Sequence, residues 1–479
     1  MLNLIKWILL VILFAPVLYL AFREKKWYLY LACAFVGILP DNFAVELSAS
    51  LPLLTAQRIL ILVLMGFWLV RQWKRKKWKI PMILVAYFTA HWIIAVCNLQ
   101  YGLSGEVKRM AILALEQILL IIMITDTIST RAEFDRCIDV MLLSCAALAA
   151  IGICQTVFDF DVTSVLQVVT SRSDMELTPR MDMTRAFGMS NAIIYGCYCA
   201  MMTLLCYYRM ERTGRQRYSV ILTLNILALL CTMSRSAWLC FAGLVALLVA
   251  TRPKKFFNRS WICILLVIVL FCGMVFLNGN FGRAMLETGK SSLNTVLKTM
   301  GIEIPGFNVS NSTGANKLAV SGDFGLNESS ATRSRIVEWS AVKYMTQEGR
   351  LLFGYGYNAF PRGMLHYFYP QFGFWTVATT LDVGLLAIIT ETGLVGLLAE
   401  LALLGYMVFI AIKNRGRKGL LTYNKLTLYV VVAYLLLNFM AAFTGPVWVI
   451  FALFFAHNKL EDRGASEDWE TEQKTTLAF

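Results

Sequence analysis

Charge is scarce in this 479-residue chain: Lys, Arg, Asp and Glu make up 15% of it, 58% is hydrophobic, and mean hydropathy is +0.63. That excludes an ordinary soluble domain, whose charged share is about 25%. Histidine is scarcer still, at three residues in all, and no D-x-D, His cluster or other ligand set has metal spacing. No bound metal and no cofactor are expected. Cysteine is missing beyond Cys272, and nearly all of the twelve present fall within or beside apolar runs. There Cys acts as a small buried hydrophobe, so neither a disulfide framework nor a Cys metal site is expected. The first apolar run ends LYLAFREKK without a small-residue cleavage site, and reads as a retained anchor, not a removed signal.

What the chain has in place of charge is apolar length. Runs approaching the roughly 20 residues that cross a bilayer as helix fall at about 2–22, 27–40, 58–70, 80–98, 109–125, 138–157, 191–208, 218–233, 236–251, 260–278, 385–412, 426–443 and 446–457. The expected fold is an all-α polytopic membrane protein with about 12–13 transmembrane helices. The net charge of +14 is concentrated in short loops, REKK at 23–26, RQWKRKKWK at 71–79, RMERTGRQR at 209–217, TRPKKFFNR at 251–259 and KNRGRK at 413–418. Even numbers of spans separate them, so the positive-inside rule puts all five on the cytoplasmic face, where they set topology and meet anionic headgroups. A nucleic-acid partner is not expected. Four regions follow: a transmembrane bundle at 1–278 that includes an outer loop at 158–190, a large extracytoplasmic loop at 279–384, further transmembrane helices at 385–457, and a cytoplasmic tail at 458–479.

The large loop has room for a site. Its stretch from Gly289 to Ser330 is rich in Ser, Asn, Gly and Thr, and is expected to be irregular. From Thr332, the positions Ile336, Trp339, Ala341, Val342 and Met345 recur at helical spacing, predicting an amphipathic helix over 332–347, with a tight turn at Gly354 and Gly356. GYGYNAF lacks the second half of a dinucleotide fingerprint and follows a helix, so nucleotide binding is rejected. Glu391 lies nine residues after Asp382 (391 − 382), about 13 Å and half a turn away on a continuous helix. The two are not expected to pair. Glu391, within an apolar helix, reads as a partner for a neighbouring helix; for Asp382, function and helix capping are both open. In CTMSRSAWLC, residues 231–240, Arg235 falls at the outer end of two spans. From that context alone, phosphate binding and a depth-setting snorkel are both open.

Four motifs, in order, resemble one family: RAFGMSNAIIYG at 185–196, TMSRSAW at 232–238, Arg335 and Trp339 as R-x-x-x-W followed by LFGYGYNAF at 352–360, and LDVGLLAIITETGLVGLL at 381–398. The likeness, spanning about 180 to 400, is to the O-antigen ligase and Wzy-type polysaccharide polymerase family, which moves glycans off a polyprenyl diphosphate carrier. It implies a GT-C-like glycosyltransferase in the bacterial cytoplasmic membrane, working on the extracytoplasmic side, with a polyprenyl diphosphate-linked oligosaccharide and membrane lipids as partners. Flippase and chain-length proteins are further partners in such systems. It also implies that Arg185, Arg235 and Arg335 bind the diphosphate, with Arg235 and Asp382 catalytic. Tyr355 and Tyr357 would stack sugars or rest on headgroups. Relatives, especially the ligases, often carry His-Asn where this chain has Asp382 and Val383, so the His-type mechanism does not transfer unchanged. His366 is the other histidine open to a catalytic role, against a plain aromatic-flanked surface position. The Asp tilts the reading to a polymerase of capsular, exopolysaccharide or teichuronic-like material over a ligase. A transporter or flippase is the reading outside the class; those usually show related halves, and no internal repeat is seen here.

Overall fold

The computed structural model describes residues 15, 19, 26–36, 44–45, 54–72, 80–158, 184–188, 192–299, 330–357, 359, 363–369, 374–377, 383–414, 421–440 and 447–462. The first apolar run (15 and 19 apart), most of the loop at 158–190, the segment 300–329 and the end of the tail lie outside them.

Helices follow one another almost without interruption: α1 Trp27–Phe35, α2 Ala56–Gln72, α3 Met82–Cys97, α4 Leu103–Ile112, a π-helical stretch Leu113–Leu119, α5 Leu120–Thr127 and α6 Arg131–Val157. Then come α7 Ala192–Thr213, α8 Gln216–Cys231, α9 Arg235–Thr251, α10 Pro253–Leu277, α11 Gly279–Thr299, α12 Ser330–Gln347, α13 Gly384–Lys413, α14 Tyr423–Met440 and α15 Val447–Asp462. Among the described residues, strands are confined to two short antiparallel pairs, β1 Ala44–Val45 with β2 Leu54–Thr55, and β3 His366–Tyr369 with β4 Phe374–Val377. Helices α6, α10 and α13 are long and apolar enough to cross a membrane, and α3, α8, α9 and α14 are shorter apolar helices. The chain is an all-α, multi-pass membrane protein.

Local chemistry sets several boundaries. Thr130 and Glu133 form a capping box that starts α6, satisfying backbone N–H groups that the first turn leaves open. Pro253 occupies the first turn of α10, where its missing N–H costs nothing. At the centre stands α7, buried almost continuously from Tyr195 to Met210 and packed by α6, α8, α9 and α14. By contrast α10 turns Trp261, Leu265, Ile268, Val269 and Phe276 outward, the lipid-facing pattern of a peripheral span.

The basic loops gather at one end of the bundle. Arg252 pairs with Glu211 at 2.5 Å, Arg209 with Asp135 at 3.1 Å and Asp139 at 2.8 Å, and Lys26 with Glu133. Arg71 lies over the Tyr28 ring, and Asn414 donates to Asn458 at 2.9 Å. Described residues of each of the five basic segments thus have partners at that end.

Two expectations about the large loop are corrected. The polar stretch from Gly289 is helical as far as Thr299, the second half of α11. That helix begins with an anchored face, Phe281, Ala284, Met285 and Thr288 being buried at three- and four-residue spacing. In α12 the buried face carries Glu338, Ala341 and Met345, while Trp339 is 40% exposed. The face is set by what α12 packs on, the start of α13 and strand β3.

Candidate active site

Arg185 meets the turn that precedes Arg235 at the end of the bundle opposite the basic loops. The Arg185 Nε donates to the Thr232 carbonyl at 2.8 Å, and the Ala186 N–H donates to the Cys231 carbonyl at 2.9 Å. The first motif is thereby laid on the turn that leads into Arg235, the first residue of α9. Gln155, fully buried on α6, secures that segment. Its Oε1 accepts from the N–H groups of Phe187 at 3.2 Å and Gly188 at 3.0 Å, and its Nε2 donates to the Gly188 carbonyl at 3.0 Å. Gly188 has φ +57° and the Tyr195 ring against it. In the α8–α9 turn, Met233 takes φ 49°, an uncommon conformation for a residue with a side chain. Ser234 caps α9 through the Ala237 N–H, and the Trp238 indole donates to the Leu229 carbonyl at 3.0 Å. Both arginines are half-buried.

A second group forms where the large loop's turn docks on α13. The helix is broken at Gly393, with φ 66° and ψ −167°. The freed backbone of α13 is taken up by the turn at 351–357: Tyr355 N–H to the Thr390 carbonyl at 2.9 Å, Gly356 N–H to the Glu391 carbonyl at 3.1 Å, Leu394 N–H to the Leu351 carbonyl at 2.8 Å and Val395 N–H to the Leu352 carbonyl at 3.1 Å. Non-helical backbone at membrane depth is tolerated only with such partners. Gly354 and Gly356, expected at a tight turn, have φ +69° and +83°, and a Cβ on Gly356 would lie 2.1 Å from Glu106.

Helices α3 and α4 complete this second group. Asn98 donates to the Phe353 carbonyl at 2.8 Å, and Glu106 accepts from the Tyr357 N–H at 2.9 Å. Arg109 donates to the Glu391 carbonyl at 3.4 Å and lies 3.2 Å from His91 Nδ1, while Arg58 pairs with Glu116 at 2.5 Å. Burial raises the Tyr357 phenol's pKa, Glu391 and Glu116 raise it further, and Arg58 and Arg109 oppose them. Burial likewise pushes up the Tyr355 phenol.

The third group links α12 to the last motif. The Glu338 carboxylate, 1% exposed, accepts from the Val383 N–H at 3.1 Å, immediately after Asp382 in the chain. Strand β3 is tied to α12 by the Phe368 N–H donating to Ser340 Oγ at 2.7 Å. The His366 ring lies 4.7 Å from the Tyr344 ring, which also meets Trp375 at 5.4 Å, so His366 belongs to the aromatic seam holding the hairpin. Asp382 lies outside the described residues, as does the side chain of Arg335, whose backbone is in α12.

Of the sequence candidates, the structure brings Arg185 to the Arg235 turn, and Tyr355 and Tyr357 to Glu391. His366 stands on a different element, against α12. Gln155, Glu338, Asn98, Glu106, Arg109, Arg58 and His91 are not among those candidates. No local pattern marks them, since partners such as Glu106 and Tyr357 are 251 positions apart. Among the described residues, no three His, Cys, Asp or Glu side chains come together as a metal-holding group.

Fold and site together define a multi-pass membrane protein whose large loop is docked onto a broken membrane helix. Residues 219–401 match the family model of O-antigen ligase. The matched segment runs from within α8 to within α13 and holds the Arg235 turn, the docked loop and the helix break, and over it the chain is similar to the O-antigen ligase family. Glycan transfer in a membrane is the general activity that this likeness supports. No curated protein matches the chain.

Proposed function

We propose that the protein polymerises polyprenyl diphosphate-linked oligosaccharide repeats into a surface polysaccharide at the outer face of a bacterial cytoplasmic membrane. The observation that carries the reading is the meeting of Arg185 and the Arg235 turn at the end opposite the basic loops, within and beside a segment of the O-antigen ligase family. A carrier lipid's diphosphate lies at that depth, and arginine's planar fork of donors suits phosphate oxygens in a partly dry site.

The reaction needs no metal in this scheme. The acceptor hydroxyl oxygen attacks the anomeric carbon, the bond from that carbon to the diphosphate oxygen breaks, and the configuration inverts. Negative charge grows on the leaving diphosphate, where Arg235, Arg185 and Arg335 stabilise it. Asp382 orients the hydroxyl or accepts its proton, a late transfer that a good leaving group permits. Ligation to a lipid, protein or cell-wall acceptor is the second reading, favoured by the description of the matched family. The Asp at 382, where many ligases carry His, favours polymerisation.

Reconstitution with lipid-linked oligosaccharide separates the readings. A ladder of products is the expected result; a single transfer makes the protein a ligase, and neither reopens the transporter reading. Within the scheme, Asp382→Asn lowers turnover more than Arg235→Lys lowers substrate binding. A fully active Asp382→Ala enzyme removes Asp382 from the mechanism.

A further inference from the structure

The second group contains a cation that the mechanism above does not use. Arg109, on α4, is 8% exposed. Its hydrogen bonds go to the Glu391 carbonyl and to His91 Nδ1, both neutral acceptors when the imidazole nitrogen offers its lone pair to a guanidinium. Among the described residues no carboxylate lies within ion-pair distance of Arg109. Arg58, nearby, has Glu116 at 2.5 Å. A guanidinium kept largely out of water without a counter-ion is costly, and in membrane helices such a residue points to function by default.

The surroundings say what would balance it. Arg58, Glu116, Tyr357 and Glu391 are each half-buried, so the group is not sealed, and Arg58, Arg109, Glu116 and Glu391 all act on the Tyr357 phenol. Two half-buried carboxylates, Glu116 and Glu391, act on the same phenol as the cation. A diphosphate, with two or more negative charges, meets repulsion from both. A sugar with one carboxylate places that charge on the Arg109 fork, while its hydroxyls donate to the Glu391 carboxylate and exchange hydrogen bonds with the Tyr357 phenol. The docked turn supplies Tyr357 itself, its N–H anchored to Glu106.

We propose that Arg109, Tyr357 and Glu391 form a subsite for an acidic sugar of the glycan, separate from the Arg185 and Arg235 pair, so that the substrate class is a uronate-containing glycan. The inference rests on the glycan-transfer reading but is tested by binding alone. The full chain in lipid nanodiscs is titrated with a tetrasaccharide containing two hexuronates, and with the same compound after its carboxyls are reduced to alcohols. Wild type should bind the acidic compound roughly tenfold or more tighter, the size expected for one bidentate charge-assisted contact. Arg109→Gln should erase that preference, Arg109→Lys should keep part of it, and Arg235→Gln should leave it whole. Equal wild-type binding of the two compounds overturns the proposal without need of any variant. So does a preference that survives Arg109→Gln, or competitive displacement of the tetrasaccharide by inorganic pyrophosphate. An acid preference without any glycan transfer would leave the subsite standing and remove the transferase reading.

Discussion

Replacing Gly393 with alanine should undock the 351–357 turn from α13. The φ of 66° and ψ of −167° at Gly393 lie in a region essentially open to glycine alone, costing any other residue about 1–3 kcal/mol. An added Cβ would also stand 2.2 Å from the Leu352 carbonyl oxygen, 2.3 Å from its carbonyl carbon and 2.5 Å from the Phe353 nitrogen. These are backbone atoms, so no rotamer change relieves the clash and the turn must move. Cross-element bonds at Thr390, Glu391, Leu394 and Val395 depend on its present place. At about 0.5–1.5 kcal/mol each, losing half of them on top of the strain gives roughly 2–6 kcal/mol. Gly405, in the same helix, has nothing within 4 Å of its own Cβ position, so Gly405→Ala should be neutral or stabilise by up to about 1 kcal/mol. Thermal unfolding in detergent and limited proteolysis compare the two variants, and transfer rate reports the consequence for function. A Gly393→Ala protein with wild-type melting, wild-type proteolysis and wild-type rate would refute the docking argument.

Three further outcomes follow from single contacts. Gln155→Leu leaves the buried N–H groups of Phe187 and Gly188 without their acceptor, at about 1–3 kcal/mol each; it should lower the melting point and the transfer rate together, with Gln155→Glu, which keeps the acceptor oxygen, less impaired in both. Glu338→Leu should slow transfer by freeing the Val383 N–H beside Asp382, whereas Glu338→Gln, which retains an acceptor oxygen, should stay near wild type when rates are compared at equal protein. Tyr355 and Tyr357 hold their phenolic protons more tightly in the fold than in the unfolded chain. Their contribution is therefore present below the ordinary phenol value of about 10 and is lost as pH rises beyond it. A Tyr355→Phe/Tyr357→Phe protein should show a shallower alkaline fall in melting point than wild type.

The membrane helices were legible because a bilayer demands apolar length, and the common end of the basic loops followed from charge alone. The turn glycines were legible too, since Gly354 and Gly356 punctuate a helical pattern. The break at Gly393 was not. A Thr-Glu-Thr-Gly stretch inside an apolar run reads as continuous helix, and what opens it is a turn about forty positions earlier, through bonds such as Leu394 N–H to the Leu351 carbonyl (394 − 351 = 43). Helix α11 was hidden by its polar composition, although Phe281, Ala284 and Met285 anchor its start. The buried face of α12 was misread at Trp339, because spacing identifies a stripe and the packing partner decides which stripe is buried. Glu338, one position away, carries the contact to Val383. Arg109 and His91 needed the fold most, for the meaning of each comes from the other and from the Glu391 carbonyl.

The account's central claim is that the arginines at the end opposite the basic loops bind the carrier diphosphate and stabilise its departure. The most direct test is the initial rate of glycan transfer by Arg235→Gln in proteoliposomes supplied with saturating lipid-linked oligosaccharide, beside wild type at equal protein. Loss of a preorganised donor to the developing charge predicts a rate lower by roughly 100-fold or more, with melting behaviour unchanged. An Arg235→Gln enzyme that elongates glycan at the wild-type rate would contradict the claim.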